Sequence, residues 1–244
     1  MAAYVRDDGR RAGELRAVKI TPDFVRTADG SCLVEVGGTR VICTASFIQG
    51  VPKWREGSGL GWVTAEYGML PASTHSRKER RAGRPDGRGV EIQRIIGRVL
   101  RSVVKFGRLG ENTIYLDCDV LEADGGTRAA AITGAHVALA RAIRRCEADG
   151  RCAGGAITGG VAAVSVGMVD GHLLLDLDYA EDCRAQVDMN VAMKSNGKFV
   201  EIQSTAEGRP FGQSDLQLML RLARRGIRTL LAVQRKAVDR RSRR

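Results

Sequence analysis

The stretch Ala123-Asp124-Gly125-Gly126-Thr127-Arg128-Ala129-Ala130-Ala131-Ile132-Thr133-Gly134 constrains the fold more than any other part of the chain. A strand-like segment, Thr113 to Leu121, leads into it, and a run of small and apolar residues reaching Cys146 leads out. Two glycines at a strand-to-helix junction let the backbone curl so that successive N–H groups point one way. Thr127 is placed to cap the helix that follows. The start of that helix carries unpaired N–H groups and partial positive charge, which suits a phosphate. Arg128 adds a planar fork of donors matched to phosphate oxygens. An ordinary glycine turn, a capped helix and a surface arginine read at least as well from this spacing alone, because short Gly-rich matches are common.

A second constellation lies in Asp176 to Asn190. Val187, Met189, Val191 and Met193 fall on one face of a strand, so Asp188 and Asn190 take the other. Asp182 sits six residues before Asp188, and a short turn brings both carboxylates toward one point. Two such oxygens suit a Mg²⁺ ion whose shell is completed by substrate phosphate. Turn-forming acids between strands are the plainer reading. A further pair, Asp117 and Asp119, faces away from the apolar side of Thr113–Leu121, where a metal and salt bridges to arginines are equally open.

The chain is strongly basic: Lys+Arg 39 against Asp+Glu 28 gives a formal net charge of +11 over 244 residues. That excess favours a polyanionic partner. It is concentrated in Thr74 to Gly89, rich in arginine and broken by Gly and Pro, which reads as an exposed loop that grips a phosphodiester backbone or as a solvated charge run. The loop leads into a helix expected over Val90 to Phe106, with Ile92, Ile95, Ile96, Val99, Leu100 and Val103 on one stripe.

Gly37-Gly38 and Asp170-Gly171 mark hairpins, Trp62 to Met69 and Phe199 to Thr205 read as strands, and Ser214 to Leu231 reads as an amphipathic helix carrying Leu216, Leu218, Leu220, Leu222 and Ile227. No linker divides the chain. The expected organisation is one domain over 1–234, built of two halves, with a basic tail over 235–244 that lacks an apolar face. No signal peptide or membrane-crossing run is expected. The six cysteines form no C-x-x-C pair and read as thiols of a reducing, cytoplasmic compartment.

Five ordered stretches resemble one family, bacterial ribonuclease PH. They are Gly61-Trp62-Val63-Thr64-Ala65-Glu66-Tyr67-Gly68-Met69-Leu70-Pro71; Gly87-Arg88-Gly89-Val90-Glu91-Ile92-Gln93-Arg94; Leu116 to Leu121 with Ala123 to Arg128; Glu181-Asp182 through Val187-Asp188-Met189-Asn190; and Ala206-Glu207-Gly208-Arg209-Pro210-Phe211. The resemblance implies a mixed α/β fold with two βαβα-like halves of the kind seen in ribosomal protein S5. It implies a phosphate-dependent 3′→5′ exoribonuclease, or tRNA nucleotidyltransferase, assembled as a homohexamer (a trimer of dimers) acting on precursor tRNA. By motif, Arg88, Gly126, Thr127 and Arg128 would hold inorganic phosphate. Asp182 and Asp188 would hold Mg²⁺ or act as acid and base, and Arg77 and Arg80 would grip RNA. The chain departs from the family at Ala72, where an arginine usually follows Met-Leu-Pro. A non-catalytic RNA-binding ring subunit of the same fold is the alternative.

Overall fold

The computed structural model describes residues 5–79, 87–207 and 210–240. Strands β1 (Val18–Pro22), β2 (Gly30–Val36) and β3 (Thr39–Gln49) form an antiparallel meander, with Gly37-Gly38 at the second turn as the sequence predicts. Strand β4 (Trp62–Met69) is followed by helix α1 (Gly87–Arg101), a short helix α2 (Phe106–Leu109) and strand β5 (Asn112–Glu122). β4 lies parallel to β5, so this is a βαβ crossover, and the first sheet has the order β1-β2-β3-β5-β4. β5 alternates as its sequence demands: Ile114, Leu116, Cys118 and Val120 are buried while Tyr115, Asp117 and Asp119 point out.

Helix α1 differs from its predicted span at both ends. It starts at Gly87, which puts Arg88 in its first turn, and it stops at Arg101. The chain beyond is drawn away into other bonds. Val104 pairs with Ile157, Thr158 N–H donates to Val103 O at 2.8 Å, and Lys105 N–H donates to Ala156 O at 2.8 Å. Phe106 therefore opens α2 instead of closing α1.

Helix α3 (Thr127–Ala148) is buried nearly all round, the signature of a helix at the centre of a domain. One side packs on β2, β3 and β5, the other on the second sheet. Its small residues make that possible. A Cβ at Gly134 would stand 2.5 Å from Val34 Cγ2 and 2.8 Å from Cys43 Sγ.

The second sheet comprises β6 (Val161–Val169), β7 (His172–Leu175), β8 (Val187–Lys194) and β9 (Phe199–Ala206), antiparallel in the order β7-β6-β8-β9. Helix α4 (Tyr179–Arg184) precedes β8, where the sequence reading had only a turn. Helix α5 (Gln213–Asp239) covers this sheet with Met219, Ala223, Ile227 and Leu230. Leu218, assigned to the apolar stripe from sequence, is 42% exposed. The helix also runs past the expected start of the basic tail: Arg235 to Asp239 are helical, with Ala237 and Val238 buried. Residues 241–244 lie outside the described residues.

The six cysteines are free thiols; four are buried, Cys152 is half-buried and Cys183 is exposed. Among the described residues no helix is long and apolar enough to cross a membrane.

Candidate active site

Ligand sites in α/β sheets form beyond the carboxyl ends of parallel strands. Here that edge is the C-terminal end of β4 and β5. The segment after β4 is tied to β5, with Leu70 N–H donating to Val120 O at 3.0 Å and Ala123 N–H to Ser73 O at 2.8 Å. Because α1 runs back along β4, its first turn, with Arg88, returns to the same edge. The Gly125-Gly126 turn leaves β5 there and starts α3.

Both glycines of that turn adopt left-handed backbone, φ 73° and 66°. Gly125 has a second reason to be glycine: a Cβ there would lie 2.6 Å from Asp178 C and 2.7 Å from Leu177 O. The turn is thus pressed against the start of α4, which the second sheet supplies. Tyr179 N–H also donates to Asp124 Oδ1 at 3.4 Å. α4 is fixed by a capping box, with Glu181 N–H donating to Asp178 Oδ1 at 2.9 Å and Asp178 N–H to Glu181 Oε2 at 3.1 Å. This close approach carries Asp182 to the phosphate-type turn.

Two arginines of the N-terminal segment hold the junction. Arg6 is buried against Glu181, which its guanidinium meets in a short ion pair, and it donates to Leu175 O at 2.7 Å and Asp176 O at 2.8 Å. Arg16 pairs with Asp176, Nη2 to Oδ1 at 2.8 Å and Nε to Oδ2 at 3.1 Å, and also donates to the carbonyls of Asp124 and Gly125. Thr39 Oγ1 donates to Gly125 O at 2.6 Å. The segment read from sequence as a polar arm is therefore a buried strap. Arg16 and Asp176 stand 160 residues apart, which no local pattern reveals.

Thr127 does not cap α3. Gly126 takes the cap position and Thr127 is the first helical residue, its Oγ1 accepting from Tyr67 Oη at 2.9 Å. Arg128 Nη1 donates to Gln203 Oε1 of β9 in a short bond and lies 3.9 Å from Glu91 of α1, and Gln203 Nε2 donates to Glu91 Oε1 at 2.7 Å. A chain of contacts thus aims Arg128 from three elements. Tyr67 feels the charges of both Arg88 and Arg128, while burial, its largest influence, raises its phenol above the usual range.

On the other wall, Asp188 and Asn190 share the face of β8 opposite its buried Val187, Met189 and Val191, as the alternation requires. Asn190 Nδ2 donates to Asp188 Oδ2 at 3.1 Å and stands across from Gln203 in the β8–β9 register. Burial, and then the charge of Asp182, pushes the Asp188 carboxyl up to about 6, against the opposing pull of Arg128, Asn190 and Arg88. Burial also raises Asp182, with Arg88 and Arg128 opposing it and Glu207 assisting. Arg88, Arg128, Asp182 and Asp188 therefore sense one another: the structure brings these four residues of the sequence reading together with Gly126 and Thr127.

Among the described residues, no three His, Cys, Asp or Glu side chains group as a metal site, and neither Asp182 nor Asp188 has an ion pair within 4.0 Å. Two partly buried carboxylates repelling each other fit a hard divalent cation that takes its remaining ligands from water and phosphate. Asp117 and Asp119 are less suited. Asp117 Oδ2 accepts from Thr44 at 3.3 Å, and Asp119 is raised by burial and then by Asp117.

Arg77 is exposed on the loop after β4. His75 of the same loop stands 6.2 Å, centroid to centroid, from the exposed ring of Tyr179. Arg80 lies outside the described residues. Sequence reasoning gave no role to Tyr67, Glu91, Gln203 or Arg16. Tyr67 and Glu91 fall inside stretches that carry the family resemblance; Gln203 and Arg16 carry no local signal.

Two family models match the chain. One, the first domain of the 3′ exoribonuclease family, covers residues 14–144; the other, the second domain of that family, covers residues 159–226. They divide the chain between its two sheets. Among solved structures, rice (Oryza sativa) Rrp46 superposes with a TM-score of 0.78 at 17% identity, over 96% of this chain and 100% of that one. The Archaeoglobus fulgidus exosome with RNA bound to its active site gives 0.78 at 21% identity, over 93% and 91%. An archaeal exosome core gives 0.76 at 22% identity, over 95% and 91%. These likenesses establish the fold.

Proposed function

Since the chain belongs to the 3′ exoribonuclease family of ribonuclease PH type, we propose that it removes nucleotides from RNA 3′ ends by phosphorolysis, releasing nucleoside diphosphates. The observation that carries this reading is the pairing of an anion-binding turn and two arginines with two carboxylates across one gap. A phosphate nucleophile and a phosphodiester repel each other, so a site joining them must offset charge on both.

In this reading the N–H groups of the Gly126-Thr127-Arg128 turn, with Arg88 and Arg128, hold and orient orthophosphate. A phosphate oxygen attacks the phosphorus of the last phosphodiester, and the bond to the 3′ oxygen of the preceding nucleotide breaks. That oxygen takes a proton. Asp188, pushed up to about 6, is the side chain able to hold a proton near neutral pH and deliver it, while Asp182 stands beside it. Asp182 and Asp188 would also hold Mg²⁺, which when bound supplies positive charge opposite the scissile phosphate. The substrate is precursor tRNA, gripped outside the site by the Thr74–Gly89 segment with Arg77 and Arg80. The assembly is a homohexamer, a trimer of dimers, and the compartment is cytoplasmic.

The test is the fate of 3′-labelled precursor tRNA with phosphate and Mg²⁺. Nucleoside diphosphates should appear only when phosphate is present, and nucleoside diphosphates alone should drive the reverse, polymerising reaction. Monophosphates released without phosphate would overturn the proposal. The exosome proteins among the structural neighbours give weight to the alternative of a non-catalytic RNA-binding ring subunit, which would bind RNA and yield no product in either direction.

A further inference from the structure

A cavity of about 550 Å³ lies between the C-terminal half of α3, the last turns of α5 and the linker before β6. It is separate from the candidate active site, since residues 127 to 136 of α3 alone span about 13 Å. Two buried side chains line it with unpartnered acceptors. His136 Nε2 lies 3.1 Å from Gly159 O. A carbonyl only accepts, so Nε2 carries the hydrogen and Nδ1 is a bare lone pair; burial pushes the ring down to about 4, which keeps it neutral. Nδ1 has no partner among the described residues. Gln234 is 1% exposed, and its Nε2 donates to Thr133 O at 2.7 Å and Val161 O at 2.9 Å. Those two bonds fix the amide, and its Oε1 is left without a partner.

The two orphans sit against consecutive residues. His136 bonds to Gly159, and a Cβ at Gly160 would stand 3.7 Å from Gln234 Oε1 and 3.0 Å from Leu231 Cδ2. Buried acceptors left open are costly and call for a donor. The walls are apolar at Ala140, Ile143 and Leu231, and Arg144 and Arg235 on the rim are matched by Glu147 and Asp239. An apolar cavity with a balanced rim and two open acceptors suits a neutral ring that presents two donors.

We propose that this cavity binds a guanine base, whose N1–H and N2–H groups complete His136 Nδ1 and Gln234 Oε1. The choice of guanine among donor-bearing rings rests on the proposed RNA chemistry. Adenine and uracil each present an acceptor where guanine presents the second donor. The base comes from a free nucleoside or from an unpaired guanine in RNA.

With the full chain labelled at ¹⁵N-histidine, only three rings contribute signals, so the His136 Nδ1 resonance can be followed directly. Guanosine should move it out of the free lone-pair range, with adenosine and uridine acting at least about tenfold more weakly, the cost of one missing hydrogen bond at a buried site. Leu231→Trp, which fills the cavity, and Gln234→Leu, which removes one acceptor, should each weaken the guanosine response about tenfold or more. Unchanged His75 and His172 signals check that these variants fold. An RNA hairpin with one unpaired guanine should displace guanosine if RNA is the source, and leave it in place if the nucleoside is. A His136 ring unmoved by guanosine, an equal response to all three nucleosides, or a Leu231→Trp protein that responds as the parent does would overturn the proposal. The readout needs no turnover, so a protein without phosphorolysis but shifted by guanosine keeps this site and loses only the proposed activity.

Discussion

Tyr67 Oη donates to Thr127 Oγ1 at 2.9 Å, joining the end of β4 to the first residue of α3. The bond spends Thr127's acceptor and leaves its own hydroxyl hydrogen free to donate into the anion turn. Tyr67→Phe should therefore raise KM for phosphate about three- to tenfold, the value of one neutral hydrogen bond, with KM for RNA and the melting temperature little changed. Initial rates against phosphate at saturating RNA check this. An equal rise in both KM values would place Tyr67 in RNA binding instead.

Arg16 and Asp176 are both nearly inaccessible, and the pair bolts the phosphate-type turn to the second sheet. Arg16→Met leaves a buried carboxylate without its partner, which costs about 3–5 kcal/mol. Urea unfolding should show that loss. Adding Asp176→Asn should recover a large part of it, because the stranded charge is gone. If the double variant is no more stable than the single one, the loss comes from packing of the arginine stem and not from the charge.

Asp188 is raised to about 6, above the usual 3.9 or so of an unfolded chain. The folded state therefore binds the proton more tightly. Its contribution to stability is fully present below about pH 3.9 and is lost as pH rises through about 6. Without Mg²⁺, Asp188→Asn should stabilise the protein at pH 7.5 and give no advantage at pH 3.5. Mg²⁺ competes with that proton, so Mg²⁺ protection of the parent should fall about tenfold in affinity per pH unit below about 6. Thermal melts across pH, with and without Mg²⁺, check both arms. A Mg²⁺ effect that ignores Asp188→Asn would remove this residue from the metal site.

The strands and the candidate site differ in how far the sequence reveals them. β4, β5 and β8 are legible because alternating burial leaves a period of two, and Asp188 and Asn190 follow from that alternation alone. α1 was misjudged because bonds from Val103–Lys105 to Ala156–Thr158 end it, and those partners are distant in sequence. α4 spans six residues, too short for periodicity, although Asp178 and Glu181 carry a capping box in plain sight. Arg88, Arg128, Asp182 and Asp188 were found through motifs. What aims them — Gln203, Glu91 and Arg16 — depends on tertiary contacts that leave no local trace.

Gly125 and Gly150 offer a matched pair for testing what brings the two halves of the site together. Both have positive φ, 73° and 72°. A Cβ at Gly150 meets nothing within 4 Å, whereas one at Gly125 meets the backbone of Leu177–Tyr179 at 2.6–2.8 Å. Gly150→Ala should cost only the left-handed strain, about 1–2 kcal/mol, and leave kcat/KM untouched. Gly125→Ala bears the same strain and must also push the turn away from α4. Since α4 carries Asp182, that displacement separates the arginine wall from the acidic one. A shift of about 1 Å in such a site costs roughly a hundredfold in rate. Gly125→Ala should then lose phosphorolysis by about that factor while remaining folded at assay temperature. If it keeps parent-like activity, the contact between the turn and α4 is packing alone, and the alignment of Asp182 with Arg128 must come from β8 and β9.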